Sequence, residues 1–454
     1  MSLASTDAAA INVDVAEAAT TATVSNAEGT LVRVTKAAAD SAVTVSLADS
    51  TGSTDTLALE LDEDGVGALV DNMNINVADV EAVSIKVDDD VSVDLSGLSM
   101  AAAGKTMGLT QTGAKTLVIS ALGTDVTTID ASAQTAGGVV QTGRSTTATV
   151  EYTGGAGADT FIMTNLGDTM VGGKGTDTLD VNYSAILGGI NVNLASTTNQ
   201  IVSANGSAIS GSVTGFENVD LSGYTGSFGA LIASGSNATA GTTASIIGTG
   251  NVDQISGGSG VDTITGGAGA DVLAGGGSGD DFVYNLSTEG ADTITDFAST
   301  DRILLMGDDV AAGADTHIFD VGAAGVVLGD TDAGTTAGAK IALAAADYNE
   351  IAVSGTLVDN HVNVLTTAGG YASVTAALVA VAGSGTVSAD DSAMILVFYN
   401  SADSEVQVHY VTEIGTAANN YADETAVELV GLSNVAACDT AATFSAANFG
   451  ILAI

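Results

Sequence analysis

The sequence contains no proline and no tryptophan, and it has a single cysteine, Cys438, in 454 residues. Proline makes up about 5% of average sequences, so its complete absence marks a strongly biased composition. One cysteine excludes any disulfide bond within the chain. Aromatic residues are also scarce, with nine Phe and nine Tyr. Apolar content that consists mainly of Ala and Val favours thin, repetitive β layers over one thick globular core.

Basic residues are the second shortage: 9 Lys and Arg stand against 54 Asp and Glu, for a formal net charge of −45. Because nucleic-acid binding depends on basic side chains that neutralise phosphates, this composition excludes a nucleic-acid partner. Repulsion among the carboxylates is expected to keep the chain expanded until divalent cations bind. Extracellular Ca²⁺ modules work at about 10⁻⁴–10⁻³ M, so the protein would fold outside the cell. The alternative is that the acidity only provides solubility.

Targeting signals of the common kinds are missing as well. The first fifteen residues carry no basic segment followed by an apolar one, so no Sec signal peptide is predicted. No apolar run reaches the roughly 18 residues of a membrane-spanning helix, so no transmembrane segment is predicted. Residues 444–454 at the C-terminus are uncharged and largely apolar.

Glycine, by contrast, is abundant and regularly placed. Residues 257–283 divide into three nonapeptides of the form Gly-Gly-x-Gly-x-Asp-x-apolar-x, and two more begin at Gly154 and Gly172. Two degenerate copies, residues 163–171 and 248–256, keep the frame but lose most glycines, and Ser278 replaces the fourth glycine of the last repeat. The sixth place is aspartate in all seven: Asp159, Asp168, Asp177, Asp253, Asp262, Asp271 and Asp280. The eighth place is apolar in all seven: Phe161, Met170, Leu179, Ile255, Ile264, Leu273 and Phe282.

This pattern predicts calcium binding on a parallel β-roll. Glycines allow a positive φ and a close approach of the backbone to an ion, and aspartates with neighbouring carbonyls supply the oxygen ligands that Ca²⁺ prefers. Each nonapeptide would form half a coil, so that aspartates two repeats apart share ions; Asp168 is predicted as a half-site. The alternative is a flexible Gly/Ser/Asp linker without ions. The predicted sites use the seven aspartates and Gly155, Gly157, Gly173, Gly175, Gly258, Gly260, Gly267, Gly269 and Gly276.

The nonapeptide resembles the repeat of RTX proteins. Residues 290–297, with the sequence G-A-D-T-I-T-D-F, and residues 301–305 resemble the usual end of an RTX roll, a capping strand pair. The resemblance makes Asp292 and Asp296 the last ligands and closes the roll near residue 306. Residues 181–247 leave the repeat frame and are predicted as inserted rungs of the same roll.

The flanking regions are predicted to be β-rich, which makes the whole chain all-β, in three regions: 1–150, 151–306 and 307–454. Alternating stretches at 42–47, 55–61 and 116–120 predict half-buried strands. The recurring D-L-S at Asp94 and Asp220 suggests a β-solenoid in which Asp or Ser closes each rung; a β-sandwich is the alternative. Residues 394–399 and 405–411 predict a hairpin, and 370–381 a helix.

No catalytic motif is recognisable. The histidines, His317, His361 and His409, are far apart, and neither H-E-x-x-H nor G-x-S-x-G occurs. His409 alternates with valines as a strand residue does, and Cys438 lies in a bland Ala-rich segment. The sequence therefore predicts that the chain is not an enzyme.

The repeats, the G-F-E-N-V connector at 215–219, the roll ending and the apolar C-terminus together resemble secreted RTX proteins of Gram-negative bacteria. Within these, the Ala/Thr/Val-rich N-terminal region is most similar to calcium-dependent surface-layer proteins. The resemblance implies type I export, a cell-surface location, several Ca²⁺ ions, self-assembly into a sheet, and cell-surface polysaccharide or lipopolysaccharide as a further partner. No helical anchoring domain is visible, which leaves a filament or sheath as a variant. An RTX adhesin and a secreted enzyme with an unfamiliar active site are the alternatives.

Overall fold

The computed structural model divides the chain into two compact units, residues 1–226 and 227–454, and each is described by itself. Strands dominate both units, as the all-β prediction requires. The structure describes residues 2–4, 10–15, 21–25, 27, 29–37, 42–47, 51–61, 73–101, 105–144, 148–182, 188–233, 243–284, 290–307, 340–342, 348–351, 362–366, 370–382, 393–412, 425–433, 444 and 448–453.

The first unit is built from short strands that alternate between two parallel sheets. Odd-numbered strands from β1 to β17, then β21, form one sheet, and even-numbered strands from β2 to β16, then β20, form the other. The strands are β1 (Ser2–Ala4), β2 (Ala10–Val15), β3 (Thr21–Ser25), β4 (Leu31–Ala37), β5 (Ala42–Ser46), β6 (Thr56–Leu61), β7 (Met73–Ala78), β8 (Ala82–Val87), β9 (Val91–Ser99), β10 (Met107–Gly113), β11 (Leu117–Leu122), β12 (Val126–Asp130), β13 (Val139–Gln141), β14 (Glu151–Thr153), β15 (Thr160–Met163), β16 (Thr169–Val171), β17 (Thr178–Val181), β18 (Ile190–Asn193), β19 (Ile201–Ala204), β20 (Ser212–Thr214) and β21 (Asn218–Asp220).

Because each strand from β1 to β15 pairs in parallel with the next strand but one, this part of the chain winds as a β-solenoid with two strands per coil. Glu60 and Lys86, register partners on β6 and β8, are 26 residues apart. In the nonapeptide region the coil tightens, and Asp159 and Asp177 are 18 residues apart. This winding excludes the β-sandwich alternative for the described residues 2–163, since a sandwich packs antiparallel sheets.

The core lies between the two sheets and is filled by the inward-facing residue of each strand. On the even-numbered sheet, one buried residue per coil stacks on the next from Leu57 to Val213. The alternation predicted from sequence is confirmed in β5, in residues 117–120 of β11, and in β6 except at Glu60, which is buried. The D-L-S repeats also have a shared role: Asp94 and Asp220 each accept the N–H of the serine two residues further on, both at 2.8 Å.

The second unit is also built from parallel coil strands, and its C-terminal strands add both antiparallel and parallel pairs. One sheet has the order β23-β25-β27-β29-β36-β30, and the other the order β22-β24-β26-β28-β35-β34-β33-β32-β31. The elements are β22 (Ala230–Ala233), β23 (Ser245–Ile247), β24 (Gln254–Gly258), β25 (Thr263–Thr265), β26 (Val272–Gly276), β27 (Asp281–Tyr284), β28 (Asp292–Ile294), β29 (Arg302–Gly307), β30 (Lys340–Ala342), β31 (Tyr348–Ile351), β32 (Val362–Leu365), α1 (Val374–Ala382), β33 (Ala393–Asn400), β34 (Glu405–Thr412), β35 (Thr425–Leu432) and β36 (Phe449–Ala453).

In the C-terminal region, two predicted elements are confirmed, but the sheets extend further than predicted. The predicted hairpin is confirmed as the antiparallel pair β33 and β34, and the predicted helix as α1, which packs on Leu396 and Phe398. The sheets do not end near residue 306, however. β28 pairs in parallel with β35, and β29 with β36, so C-terminal strands extend both sheets beyond the last repeat. The inserted residues 181–247 add coil strands such as β20 and β21, and also the antiparallel pair β18 and β19.

Candidate metal centre

The nonapeptides fold as the pattern predicts at their apolar end. Their last residues form β15, β17, β25, β26 and β27, and the degenerate copies form β16 and β24. All seven eighth-place side chains are buried in the core: Phe161, Met170, Leu179, Ile255, Ile264, Leu273 and Phe282. Each sixth-place aspartate is thereby fixed at the edge of the solenoid, directly before a strand.

In the second unit these aspartates form two ladders along opposite edges. On one edge, the N–H of Asp253 donates to Oδ1 of Asp271 at 2.8 Å, and the N–H of Asp271 to Oδ1 of Asp292 at 2.9 Å. On the other edge, the N–H of Asp262 donates to Oδ1 of Asp280 at 2.9 Å, and the N–H of Asp280 donates to Oδ1 of Asp301 at 3.0 Å. One carboxylate oxygen therefore links each coil to its neighbour.

The first unit has a third ladder of the same kind. The N–H of Asp159 donates to Oδ1 of Asp177, and the N–H of Asp177 donates to Oε2 of Glu217, both at 2.8 Å. The hydrogen bond between Asp159 and Asp177 shows that the structure brings this predicted pair together. The ladder ends on a glutamate from the G-F-E-N-V connector.

The second carboxylate oxygen is what makes these ladders candidate metal sites. Oδ2 of Asp177, Asp262, Asp271 and Asp280 is buried without a hydrogen-bond partner, although the four residues are at most 1% exposed. An unpartnered buried carboxylate oxygen is costly, and a bound cation removes that cost. A methyl group built on Gly257 would lie 2.6 Å from both Oδ2 of Asp262 and the carbonyl oxygen of Gly275. Two hard oxygens therefore converge on a space that only glycine leaves open.

The charges of these carboxylates are destabilised in the absence of a cation. Burial raises the pKa of Asp177, Asp271 and Asp280 to about 7, and a neighbouring carboxylate adds to the effect. Burial also raises the pKa of Asp159, Asp253 and Asp262. A divalent ion bound between the coils would stabilise the ionised forms.

The donors around Asp262 are hard oxygens. Among the described residues there is no group of three or more His, Cys, Asp or Glu side chains that could hold a metal. At Gly257, Oδ2 of Asp262 instead converges with the carbonyl oxygen of Gly275, and such hard oxygens are of the kind that Ca²⁺ accepts in flexible geometry. The predicted Ca²⁺ chemistry therefore fits the residues present.

The predicted glycines lie in the turns that these aspartates close. Gly155 donates its N–H to Oδ2 of Asp159 at 2.8 Å, and a side chain at Gly157 would overlap the carbonyl of Gly137. Gly260 lies in the turn before Asp262. The remaining predicted glycines have φ between +95° and +135°: Gly173, Gly175, Gly258, Gly267, Gly269 and Gly276.

Two predicted ligands are engaged differently. Asp296 accepts the N–H groups of Gly275 at 3.0 Å and Gly276 at 2.8 Å, one with each oxygen, so it caps the turn of an earlier coil. Both oxygens of Asp168 hold the guanidinium group of Arg144. Neither carboxylate presents an unpartnered oxygen.

Two ladder residues were missed by the sequence interpretation. Glu217 and Asp301 occupy the position of the sixth-place aspartate, although neither lies in a nonapeptide. The acidic residue of G-F-E-N-V was a usable signal for Glu217. His409 lies buried in β34, as its alternation predicted, whereas His317, His361 and Cys438 lie outside the described residues.

No protein-family model matches the chain, and no curated protein matches it in a sequence search. Function is therefore inferred from the geometry of the ladders. Within the described ranges, no helix has the length and apolar character needed to cross a membrane.

Proposed function

We propose that the chain is a calcium-dependent extracellular structural protein whose RTX-type coils fold around several Ca²⁺ ions and then assemble with copies of themselves. The observation that carries the calcium role is the buried, unpartnered Oδ2 on Asp177, Asp262, Asp271 and Asp280. Among the described residues, no Lys or Arg forms an ion pair with these carboxylates, and hard divalent cations match their oxygens.

Self-assembly is supported by the N-terminal end of one sheet. In the part of the chain that the structure describes, β1 is the terminal strand of its sheet and pairs only with β3, so its other edge is open to pairing. Such edges are templates for pairing with another chain. The net charge of −45 would oppose association until cations screen or bridge the carboxylates.

The proposed location follows from the calcium requirement. Extracellular calcium reaches the roughly millimolar range in which weak oxygen sites fill, whereas the cytosol stays far below it. Export by the type I route to the surface of a Gram-negative cell, as a surface layer, filament or sheath, is part of the proposal. Surface polysaccharide or lipopolysaccharide is the proposed anchor.

The test starts from chelated protein. Millimolar Ca²⁺ is added, β structure is followed by circular dichroism, and assembly is followed by negative-stain microscopy; Mg²⁺ at the same concentration is the control, because it loses its waters reluctantly. A gain of β structure with sheets or filaments in Ca²⁺ alone is expected. A gain of β structure without assembly would favour the role of a monomeric adhesin over that of an assembling structural protein. No response to Ca²⁺ would overturn the calcium role.

A further inference from the structure

Arg144 is the one arginine whose side chain, within the described residues, is completely buried in an ion pair. Its Nη1 donates to Oδ2 of Asp168 at 2.7 Å, and its Nη2 to Oδ1 at 3.2 Å. Nη1 also donates to the carbonyl oxygen of Ile162 at 3.2 Å, and Nη2 to that of Ala148. The guanidinium is thus surrounded by one carboxylate and two backbone carbonyls, the same types of oxygen that converge in the ladders.

Asp168 has the sequence position of a ladder aspartate but not its unpartnered oxygen. Its Oδ1 accepts the N–H of Val150 at 2.8 Å, as ladder aspartates accept an N–H from the previous coil. Its Oδ2 accepts N–H groups from Thr164 at 3.2 Å and Asn165 at 3.1 Å in addition to the arginine. Asp177, one half-coil later, has an Oδ2 without any partner.

We propose that Arg144 is a built-in cation that takes, at the Asp168 edge, the place that Ca²⁺ takes at the other edges. The inference rests on the proposed calcium function and refines it, because it removes one aspartate from the metal sites. A guanidinium is suited to the role, since it cannot be deprotonated and its planar fork matches a carboxylate with two bonds. The group also lies 5.6 Å from the ring centroid of Tyr152, a cation–π distance.

The same solution recurs in earlier coils of the first unit. Glu60 is held by Arg33 and Lys86, and Glu81 by Lys105 at 2.7 Å. Carboxylates of several coils before Asp159, and Asp168 itself, are therefore paired with the chain's own cations, whereas among the described residues no Lys or Arg forms an ion pair with Asp159, Asp177 or Glu217. It follows that the early coils form without calcium and provide an ordered end on which the calcium-dependent coils of this unit are added.

Hydrogen–deuterium exchange of the wild-type full chain tests this without any mutation. The Val150 amide, bound to Asp168, is compared with the Asp159 amide, bound to Asp177, in Ca²⁺ and in chelator. Chelation is expected to speed exchange at Asp159 at least about tenfold and to change it at Val150 less than about twofold. Equal acceleration at both amides would overturn the Arg144 proposal and leave the calcium function intact. If the chain bound no calcium and chelation changed exchange at neither amide, the proposed calcium function itself would be overturned.

A pair of variants gives an independent readout. Asp168→Asn is expected to bind as many Ca²⁺ ions as the wild type in equilibrium dialysis, whereas Asp177→Asn binds fewer. Loss of calcium from Asp168→Asn equal to that from Asp177→Asn would overturn the proposal. If Asp168→Asn fails to fold because Arg144 is left buried without a partner, the exchange experiment on the wild type decides.

Discussion

Asp262 and Asp280 are joined across one coil, with the N–H of Asp262 donating to Oδ1 of Asp280 at 2.9 Å. Oδ2 of each carboxylate is buried without a hydrogen-bond partner. One oxygen thus holds the coils together, and the other is available to a cation. Structural and metal-binding roles of the same side chain can therefore be separated by substitution.

Asp262→Asn makes that separation. The asparagine carbonyl can still accept the N–H of Ala244, a bond of 2.9 Å in the wild type, while the charged second oxygen is lost. Loss of a group that only hydrogen-bonds to a metal ligand already costs about 10–100-fold in affinity, so a decrease of at least about tenfold is expected when the proposed ligand itself is changed. Isothermal titration with Ca²⁺ measures it. Asp94→Asn, which changes a carboxylate that caps Ser96, is the matched control and should titrate like the wild type; identical titrations of all three proteins would remove Asp262 from the sites.

The repeat made much of this geometry predictable. A nine-residue frame with aspartate at the sixth place and an apolar residue at the eighth is enough to place strands, buried side chains and turn edges, as at Phe161 and Leu273. These features are local, because each depends on a single half-coil. Alternation likewise predicted β5, β6 and β11 of the first unit.

What the sequence could not predict depends on loop length. Glu217 lies 40 residues after Asp177. The antiparallel pair β18 and β19 lies between them, so the spacing of the repeat does not show that Glu217 belongs to the ladder. Arg144 lies 24 residues before Asp168, outside every repeat. The continuation of the sheets by β35 and β36 required pairing across more than a hundred residues. A nine-residue periodicity cannot predict pairing between residues so far apart in the sequence.

The last repeat contains a residue that strains its turn. Ser278 has φ +87°, at the place where Gly175 and Gly269 have +131° and +135°. Because a positive φ costs a residue with a side chain about 1–2 kcal/mol, Ser278→Gly is expected to stabilise the calcium-bound protein by about 1 kcal/mol. The gain is reduced by loss of the bond from the Ser278 hydroxyl to Ser259, an exposed contact of 3.2 Å. Urea unfolding in saturating Ca²⁺ measures the difference.

The opposite change at the equivalent place is the control. A side chain at Gly269 would lie 2.7 Å from the backbone of Asn251, so Gly269→Ala combines the strained φ with a clash against a neighbouring coil. A decrease in stability is expected. If both substitutions shifted the urea midpoint in the same direction, the turn at Ser278 would not have the glycine-like conformation described.

A pH effect is expected from Glu60, which lies between Arg33 and Lys86. Burial alone raises the pKa of Glu60, but hydrogen bonds from Lys86 and Arg33 outweigh it and lower the pKa from 4.5 to about 2. Since the folded-state pKa is the lower one, the ionised carboxylate stabilises the fold above about pH 4.5, and this is lost as the pH falls towards 2. Glu60→Gln is expected to be less stable than the wild type by about 1.5–3 kcal/mol at neutral pH, since hydrogen bonds to charged groups have that magnitude.

The difference between the two proteins should be mostly lost near pH 2, because about half of the Glu60 side chains are then protonated in the folded wild type. Urea unfolding at several pH values between these limits measures it. A difference that stayed constant across the whole range would mean that packing rather than charge accounts for the role of Glu60.

Gln111 on β10 is fully buried, and neither Nε2 nor Oε1 has a hydrogen-bond partner. Its register partner on β8 is the apolar Ile85, so the amide interrupts an apolar stack. Because an unsatisfied buried polar group costs about 1–3 kcal/mol, Gln111→Leu is expected to stabilise the protein by a comparable amount in urea unfolding. Gln141→Leu is the control: Gln141 is equally buried, but its Oε1 accepts the N–H of Ile162 at 3.1 Å, so the same substitution should destabilise. Destabilisation by both would show that Gln111 satisfies its amide through bound water.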